Sequence, residues 1–537
     1  MSTDVLTNTA NISAASQAPL PDDPVILKRM ILELLETLKT TRRQNDQLHH
    51  RLDQLLRRLY GPRAEKFDPH QPFLFPAMPA PAPPETAAPE AAPPVRDETP
   101  VTKKNGHGRR RLPESLPRVR QTHSLADSEC TCPECGTRRV KIGEEISEQL
   151  DYQPAALFVI EHVRETYACP KCQGCVTTAD KPPAPIAKGL PGPGLLAQII
   201  TSKYGDYLPL YRLERIFGRH GLELARSTTC DWMAACAKLL RPLYDMMVSR
   251  VLKSRLVHTD DTPLPVLDKS RESTRQGRLW VYLANDHPYT VFDFTPSRAR
   301  DGPQQFLAGF EGFLHADAFA GYDGIYLASQ GTIHEVACHA HARRKFFDAR
   351  SSDAARAHAA LGWYRQLYGI EKEIQDERQR LSEERGTPLP STEVETLTLA
   401  RRQEKAVPVL CQFHAWLQEQ QRHPDVLPKS PIGAAIHYAL NNWEALTRYT
   451  SAGLLAIDNN VAEREMKRVA IGRKNFLFAG SDKGGQAAAV LFSFTSSCHR
   501  HGIDPFAYLR DVLDRLAGGN LPSEQLAALL PDRFAKD

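Results

Sequence analysis

Residues 256–266 read LVHTDDTPLPV. An apolar start, Leu256 and Val257, leads into two adjacent acids, Asp260 and Asp261, and then into Thr-Pro, a turn-forming pair. The pattern predicts a buried strand that ends at its acids. A carboxylate in such a place is costly unless a charged group meets it. Successive strand side chains alternate, so Asp260 shares a face with His258 and Asp261 points the other way.

Strand-like segments continue on either side of this stretch. RLWVYLAND and TVFDFTP are short, apolar and β-rich, and a helical segment around RDGPQQFLAGF follows. GFLHADAFAGYDGIY then places Asp317 at the end of another strand, and IHEVACHAHARRKFFDA runs from a strand into a basic helix. Three strands, a helix and a fourth strand predict a ribonuclease-H-like sheet, in which the first and fourth strands are neighbours. Asp260 and Asp317 then lie side by side. A charged helical stretch over 353–445 reads as an insertion, and IDNNVAEREMKRVAIGRKNFLFAGSDKGG (457–485) returns to the core. Asp458 and Asn459 read as a helix N-cap there, with Glu463 on the first turns. Asp260, Asp317 and Glu463 are hard oxygen ligands suited to Mg²⁺ or Mn²⁺. Two such ions ~4 Å apart serve in-line phosphoryl displacement.

The remaining chain reads as further domains. From Leu27 to Leu59 a heptad repeat runs without a slip, with Ile31, Leu38, Asn45, Leu52 and Leu59 on one seam position. Leu27, Leu34, Thr41, Leu48 and Leu55 hold the other, which predicts a parallel coiled coil and self-association. Residues 68–100 are dense in Pro and Ala and read as a semi-rigid linker. The basic run KKNGHGRRRLP (103–113) after it can hold phosphates. Cys132/Cys135 and Cys169/Cys172 form two C-x2-C knuckles joined by strand-like sequence, the signature of a zinc ribbon with a four-thiolate structural site. Cys130 and Cys175 are spare thiols that could substitute. YLPLYRLERIFGRHGLELARSTTCDWMAAC gives a helix, a break at Gly221 and a second helix capped near Ser227, a helix-turn-helix pattern with Arg226, Ser227, Thr228 and Thr229 at its second start.

The bulk numbers set limits. A charged fraction of 25% and a hydrophobic fraction of 41% are ordinary for globular domains. No apolar run approaches the ~18 residues of a membrane span, and the N-terminus has no secretory pattern, so a cytoplasmic, nucleoid-associated protein is expected. The 11 cysteines then point to metal or reduced thiols rather than disulfides. A net charge of +4 decides little, so local basic clusters carry the nucleic-acid argument.

HTDDTP, HADAFAGY, CHAHARRKFFDA, IDNNVAERE and GRKNFLFAGSDKGG resemble motifs of transposases of the insertion sequence 66 family. RRLYGPRAEKFDP and GEEISEQLDYQPAALFVIEHVRETYACPKC are similar to that family's segment after the coiled coil and to its zinc-binding domain. The resemblance spans nearly the whole chain. It implies a DDE transposase that cuts DNA at element ends and joins the freed 3′-hydroxyl to target DNA, with Asp260, Asp317 and Glu463 as catalytic metal ligands. The family's first motif more often reads Asp-Glu-Thr, which makes Asp261 a rival of Asp260. His341 fits the family pattern, whereas His339 stands where an aromatic is frequent. Two small accessory proteins of the same element are implied as partners. Arg343, Arg344, Lys345, Arg464, Lys467, Arg468, Arg473 and Lys474 are candidate phosphate contacts. The rival activities are a nuclease that cuts without joining and an inactive DNA-binding repressor or accessory protein.

The expected architecture is a multidomain α+β chain. It comprises a disordered start (1–24), a coiled coil (25–60), a linker with the basic segment (61–118), a zinc-binding domain (119–184) and a helical DNA-binding domain (185–250). The ribonuclease-H-like core follows in two parts (251–352 and 451–500), around a helical insertion (353–450) and before a helical tail (501–537).

Overall fold

The computed structural model describes residues 23–38, 41, 112, 114, 116–125, 129–153, 156–172, 176–187, 189–268, 270–318, 321–519 and 521–534. The heptads beyond residue 41, the Pro/Ala-rich stretch, basic residues 103–111 and Cys175 lie outside them. The chain forms two compact units, one from residues 1–80, 341–388 and 401–443, the other from 81–340, 389–400 and 444–537.

The larger unit begins with β1 (Arg118–His123), β2 (Val140–Gln153), β3 (Ala156–Ala168) and the short β4 (Thr177–Thr178). β2 and β3 form a long antiparallel hairpin, with β1 parallel to β3 on its other side. Four helices follow: α1 (Pro193–Ile200), α2 (Leu210–Arg219), α3 (Arg226–Leu239) and α4 (Arg241–Val251). Gly221, at φ +76°, makes the turn between α2 and α3 in a conformation that favours glycine. α3 starts at Arg226 with Ala225 at its N-cap, not at a Ser227 cap, and Thr229 is buried rather than presented.

The central sheet has the order β7-β6-β5-β8-β9, from β5 (Leu256–Val266), β6 (Arg275–Ala284), β7 (Thr290–Thr295), β8 (Gly312–Ala316) and β9 (Ile333–Ala337). β5, β6 and β7 are antiparallel, and β8 joins β5 in parallel. The first and fourth strands of this sheet are therefore neighbours. α5 (Asp301–Phe306) covers the β7–β8 crossover, and its Phe306 ring stacks on Tyr282 at 3.7 Å. α6 (Asp323–Ala328) lies between β8 and β9, and Tyr322 at its start meets Trp280 edge-on.

β5 departs from its expected end. It continues past both aspartates to Val266, through Pro263 and Pro265, because β6 pairs with it along that whole length. β8 pairs with it only as far as His258. Beyond that point, among the described residues, that edge of β5 meets no further strand but only a single bridge from Val266 to Ala479, and there a proline can sit in a strand without breaking a ladder.

α7 (His339–Asp348) leaves β9 and leads into the second unit, whose helices are α8 (Ala354–Arg385), α10 (Val407–Arg422) and α11 (Pro431–Asn441). Asp353 caps α8 by accepting from the Arg356 N–H, and Gly386 at φ +72° ends it. Phe413 anchors the interior among Phe346, Trp363 and Tyr364. The charged pattern of this segment becomes a set of interhelical ion pairs, with the buried Arg402 forked onto Glu371 at 2.7 and 2.8 Å and Arg401 onto Glu377. Residues 24–38 form a helix in the same unit, with Ile31, Leu34 and Leu38 more than half exposed.

α9 (Ser391–Arg401) begins within the larger unit, and α12 (Trp443–Thr447) leads back to it. α13 (Asn460–Phe476), α14 (Asp482–His501), α15 (Pro505–Leu516) and α16 (Ser523–Ala528) complete that unit. α13 buries Ala462, Met466, Val469 and Gly472 at helical spacing. α14 is buried over most of its length and lies along β7. Its Ser493 and Ser497 hydroxyls accept from the backbone N–H groups of Phe292 and Thr290 at 2.8 and 3.1 Å. The edge of the sheet is thereby closed by side chains on a helix. Among the described residues no helix is long and apolar enough to cross a membrane.

Candidate active site and zinc centre

The pleat of β5 divides its two acids. Asp260 lies on the His258 face, and the His258 ring stacks on His315 of β8 at 4.9 Å. The pairing of His258 with His315 is the last between these strands. Asp260 stands two residues beyond one histidine and Asp317 two beyond the other, so both acids emerge at the same end of adjacent parallel strands. Burial pushes the Asp260 carboxyl up to about 7, with the charges of Asp317, Asp261 and Glu463 adding to that rise. The Asp261 N–H donates to Asp260 Oδ1 at 2.8 Å and partly offsets it.

Glu463 arrives on the first turn of α13, an end where the helix dipole favours an acid. Asn459 positions that end, but not by capping. It occupies the N-cap, yet its side chain makes no cap bond. Its Nδ2 donates to the Thr259 carbonyl at 2.8 Å, which turns Oδ1 toward His258 Nδ1 at 2.9 Å. His258 must then donate from Nδ1. It is fully buried and held neutral, its pKa pushed down to about 4 by desolvation. The Asn459 N–H also points at Cys338 Sγ, 3.2 Å away at the end of β9. One asparagine thus ties the helix of Glu463 to the strand of Asp260. Asn459→Ala should cost about 3 kcal/mol, because it strands a buried imidazole and a buried carbonyl. Urea unfolding measures that loss, and a change under 1 kcal/mol would contradict the assigned network.

Asp261, the rival acid, turns away. Its side chain is 2% exposed and bound by Arg278 at 2.9 Å and Arg298 at 2.7 Å. Arg473 donates to Thr262 Oγ1 at 3.0 Å and to the Pro263 carbonyl, so it straps α13 to β5. Arg468 pairs with Glu465 at 3.1 Å, whereas Arg464, Lys467 and Lys474 are exposed. On α7, Arg343 is half-buried and Arg344 and Lys345 are exposed, with Lys345 Nζ 4.4 Å from the Tyr438 ring centre. His339 is buried, accepts no surface role, and sits 2.8 Å from the Leu446 carbonyl and edge-on to Tyr449. His341 is half-buried on the same helix. Sequence reading did not single out Arg278 or Arg298, and it gave Asn459 a cap's role only. Arg298 lies 37 residues from its partner Asp261, beyond any local spacing signal.

The cysteines converge at one end of the hairpin. Val140 of β2 pairs with Ala168 of β3, so the knuckle before β2 meets the one after β3. The long intervening segment is this hairpin. The ligand atoms of Cys132, Cys135, Cys169 and Cys172 all lie within 4.8 Å of one another, with Cys135 to Cys169 at 3.2 Å and Cys132 to Cys172 at 3.8 Å. A tetrahedral zinc–thiolate site with ~2.3 Å bonds needs sulfurs ~3.8 Å apart, so the four thiols fit zinc. The backbone N–H of Thr137 and the neighbouring Cys169 lower the Cys135 thiol to about 6, and the amides of Cys135 and Glu134 lower Cys132. Cys130 stands outside this group, with its thiol directed at the Leu125 carbonyl.

The four-thiol cluster and the mixed sheet belong to a multidomain α/β protein with a zinc-finger-like domain, and sequence comparison gives the family. The model "Transposase IS66 family" matches residues 188–487, and "zinc-finger binding domain of transposase IS66" matches 129–173. "Transposase C of IS166 homeodomain" matches 47–120 and "IS66 C-terminal element" 493–531. The chain belongs to the IS66 family of transposases. It is 33% identical over 438 residues to the uncharacterized protein y4jD of Sinorhizobium fredii, covering 79% of this chain and 82% of that one. It is 34% identical over 428 residues to y4hP of the same organism, covering 75% and 72%.

Proposed function

We propose that the chain is a DDE transposase with a ribonuclease-H-like core, cutting DNA at the ends of its insertion element and transferring the freed strand to target DNA. What supports this is that Asp260 and Asp317 stand at matching ends of adjacent parallel strands and that the charges of Asp317 and Glu463 both act on Asp260, while the carboxylate oxygens of the three do not all lie within 4.8 Å of one another. Burial first, and then the charges of Asp317, Asp261 and Glu463, raise the Asp260 pKa, a rise that a divalent cation at this place would offset. Three carboxylates of this kind are the donor set for Mg²⁺ or Mn²⁺. Such ions supply Lewis acidity to the attacking and leaving oxygens of an in-line displacement.

The chain's own residues hold and orient. Asp260, Asp317 and Glu463 are the ligands, and Asn459 ties the start of the helix that carries Glu463 to the strand that carries Asp260. Arg464, Lys467 and Lys474 contact DNA phosphates, with Arg343, Arg344 and Lys345 as further contacts. Water displaces the 3′-oxygen at the element end, and that 3′-hydroxyl then displaces a 3′-oxygen in the target. Each step forms one P–O bond as another breaks, first to water, leaving a 5′-phosphate on the flank, and then to the 3′-hydroxyl, leaving a 3′-hydroxyl on the target, with no covalent bond to protein.

The test is a cleavage and strand-transfer assay on labelled DNA carrying the parent element's ends, with the element's two small accessory proteins added. Metal-dependent nicking and joining is the expected result. Nicking alone favours a nuclease, and binding without chemistry favours an inactive repressor or accessory protein.

We also infer self-association through the heptad seam. An isolated helix of the length of residues 24–38 is marginal in water, and Ile31, Leu34 and Leu38 of its seam lie exposed in the single chain. Leu34→Asp should halve the sedimenting mass at micromolar concentration. An unchanged mass would remove the coiled-coil reading.

A further inference from the structure

A carboxylate buried as deeply as Asp261 needs a cationic partner, and one forked guanidinium suffices. Here there are two. Arg298 places Nε and Nη2 at 3.1 and 2.7 Å from Oδ1, while Arg278 Nη1 is 2.9 Å from Oδ2. Arg473 adds a third guanidinium at Thr262 and Pro263, on the same few residues of β5. Two guanidinium groups therefore face the Asp261 carboxylate, and a third holds the next two residues of the strand, directly after Asp260. Arg298 also comes within 4.0 Å of Asp317, outside hydrogen-bond reach, and its side chain is 37% exposed. The guanidinium thus stands between a buried anchor and the open edge of the acid cluster. A guanidinium held in this way loses little freedom when an anion arrives, and its planar fork matches phosphate oxygens.

We propose that Arg298 contacts a nonbridging oxygen of the DNA phosphate next to the scissile one, and that Asp261 is the residue that positions it. The proposal rests on the reading of Asp260, Asp317 and Glu463 as a DNA-cutting site. It also gives Asp261 a task distinct from metal binding. A purely structural ion pair would influence stability but would be indifferent to the charge of any single phosphate.

That difference defines the experiment. The full-length protein is bound, in Ca²⁺, to duplexes with the parent element's terminal sequence in which one phosphate at a time is a neutral methylphosphonate. Nicking of the same duplexes is followed in Mg²⁺. Wild type should lose roughly ten- to hundredfold in affinity at one position beside the scissile phosphate, the size of a charge-assisted hydrogen bond. Arg298→Ala should lose a similar factor on unmodified DNA and be indifferent to methylphosphonate at that position. Asp261→Asn should blunt the same position, and Arg298→Lys should restore part of it. If Arg298→Ala melts early, the comparison of Arg298→Lys with wild type carries the test. A variant that stays as sensitive as wild type at every position overturns the proposal. Position-specific binding without nicking would keep the Arg298 contact and overturn the cutting reading, whereas absence of binding would overturn both.

Discussion

Asp317→Asn should reduce DNA nicking by at least about a thousandfold, on the order of 4 kcal/mol of transition-state stabilisation, while binding to element ends persists. Asp317 is a half-exposed residue just past β8, so its amide has room and should not disturb the sheet. The companion variant Asp260→Asn should be equally inactive, yet more stable than wild type in EDTA by roughly 1–2 kcal/mol. Asp260 is buried and repelled by Asp317, Asp261 and Glu463, and an amide relieves that repulsion while still accepting from the Asp261 N–H. Thermal melting with and without Mg²⁺ checks this. If Asp260→Asn destabilised the metal-free protein, the acids would not be crowded against one another as described.

Removing zinc should have the second large effect. The purified protein should carry one zinc per chain, and Cys132→Ser or Cys169→Ser should lose it along with binding to element ends. Cys130→Ser should keep both, since its thiol is directed at the Leu125 carbonyl. The size follows from how little else holds that end of the hairpin. Val140, Ile142 and Ile146 on β2 are more than half exposed, so apolar burial there is thin. Structural zinc in small fingers supplies about 10–16 kcal/mol of apparent binding energy, far more than such a hairpin end gains by packing. The sheet and its helices should still melt cooperatively in these variants. Full zinc retention in Cys132→Ser would mean a different ligand set.

Much of the architecture was legible because its signals are local. The C-x2-C knuckles, the three β-rich runs after residue 254 and the helical charge pattern of 353–445 are each readable within about thirty residues. The adjacency of the first and fourth strands followed from connection order. The end of β5 was misread because Thr-Pro-Leu-Pro looks like a terminator. The strand survives it because β8 has already left that edge, a fact about a segment more than fifty residues on. Asn459 was read as a cap since Asx residues before helices usually are, and nothing nearby in sequence announces His258 as its partner. The Asp261–Arg298 pair was hidden for the same reason. The alternation of strand side chains separated Asp260 from Asp261, but it did not show what waited on the other face.

The bond between His258 and Asn459 joins residues 201 positions apart. That separation has a consequence in time. Chains are made from the N-terminus at about 5–20 residues per second, so roughly 10–45 s pass between completion of α3 and the emergence of Glu463. Throughout that interval the zinc domain and the α2–α3 pair exist without the third acid. Closing so long a loop is also among the slower folding events. On the proposed chemistry, each newly made molecule passes through a stage in which its first two acids are present and it does not cut DNA. A chain whose synthesis stops before residue 457 remains at that stage permanently.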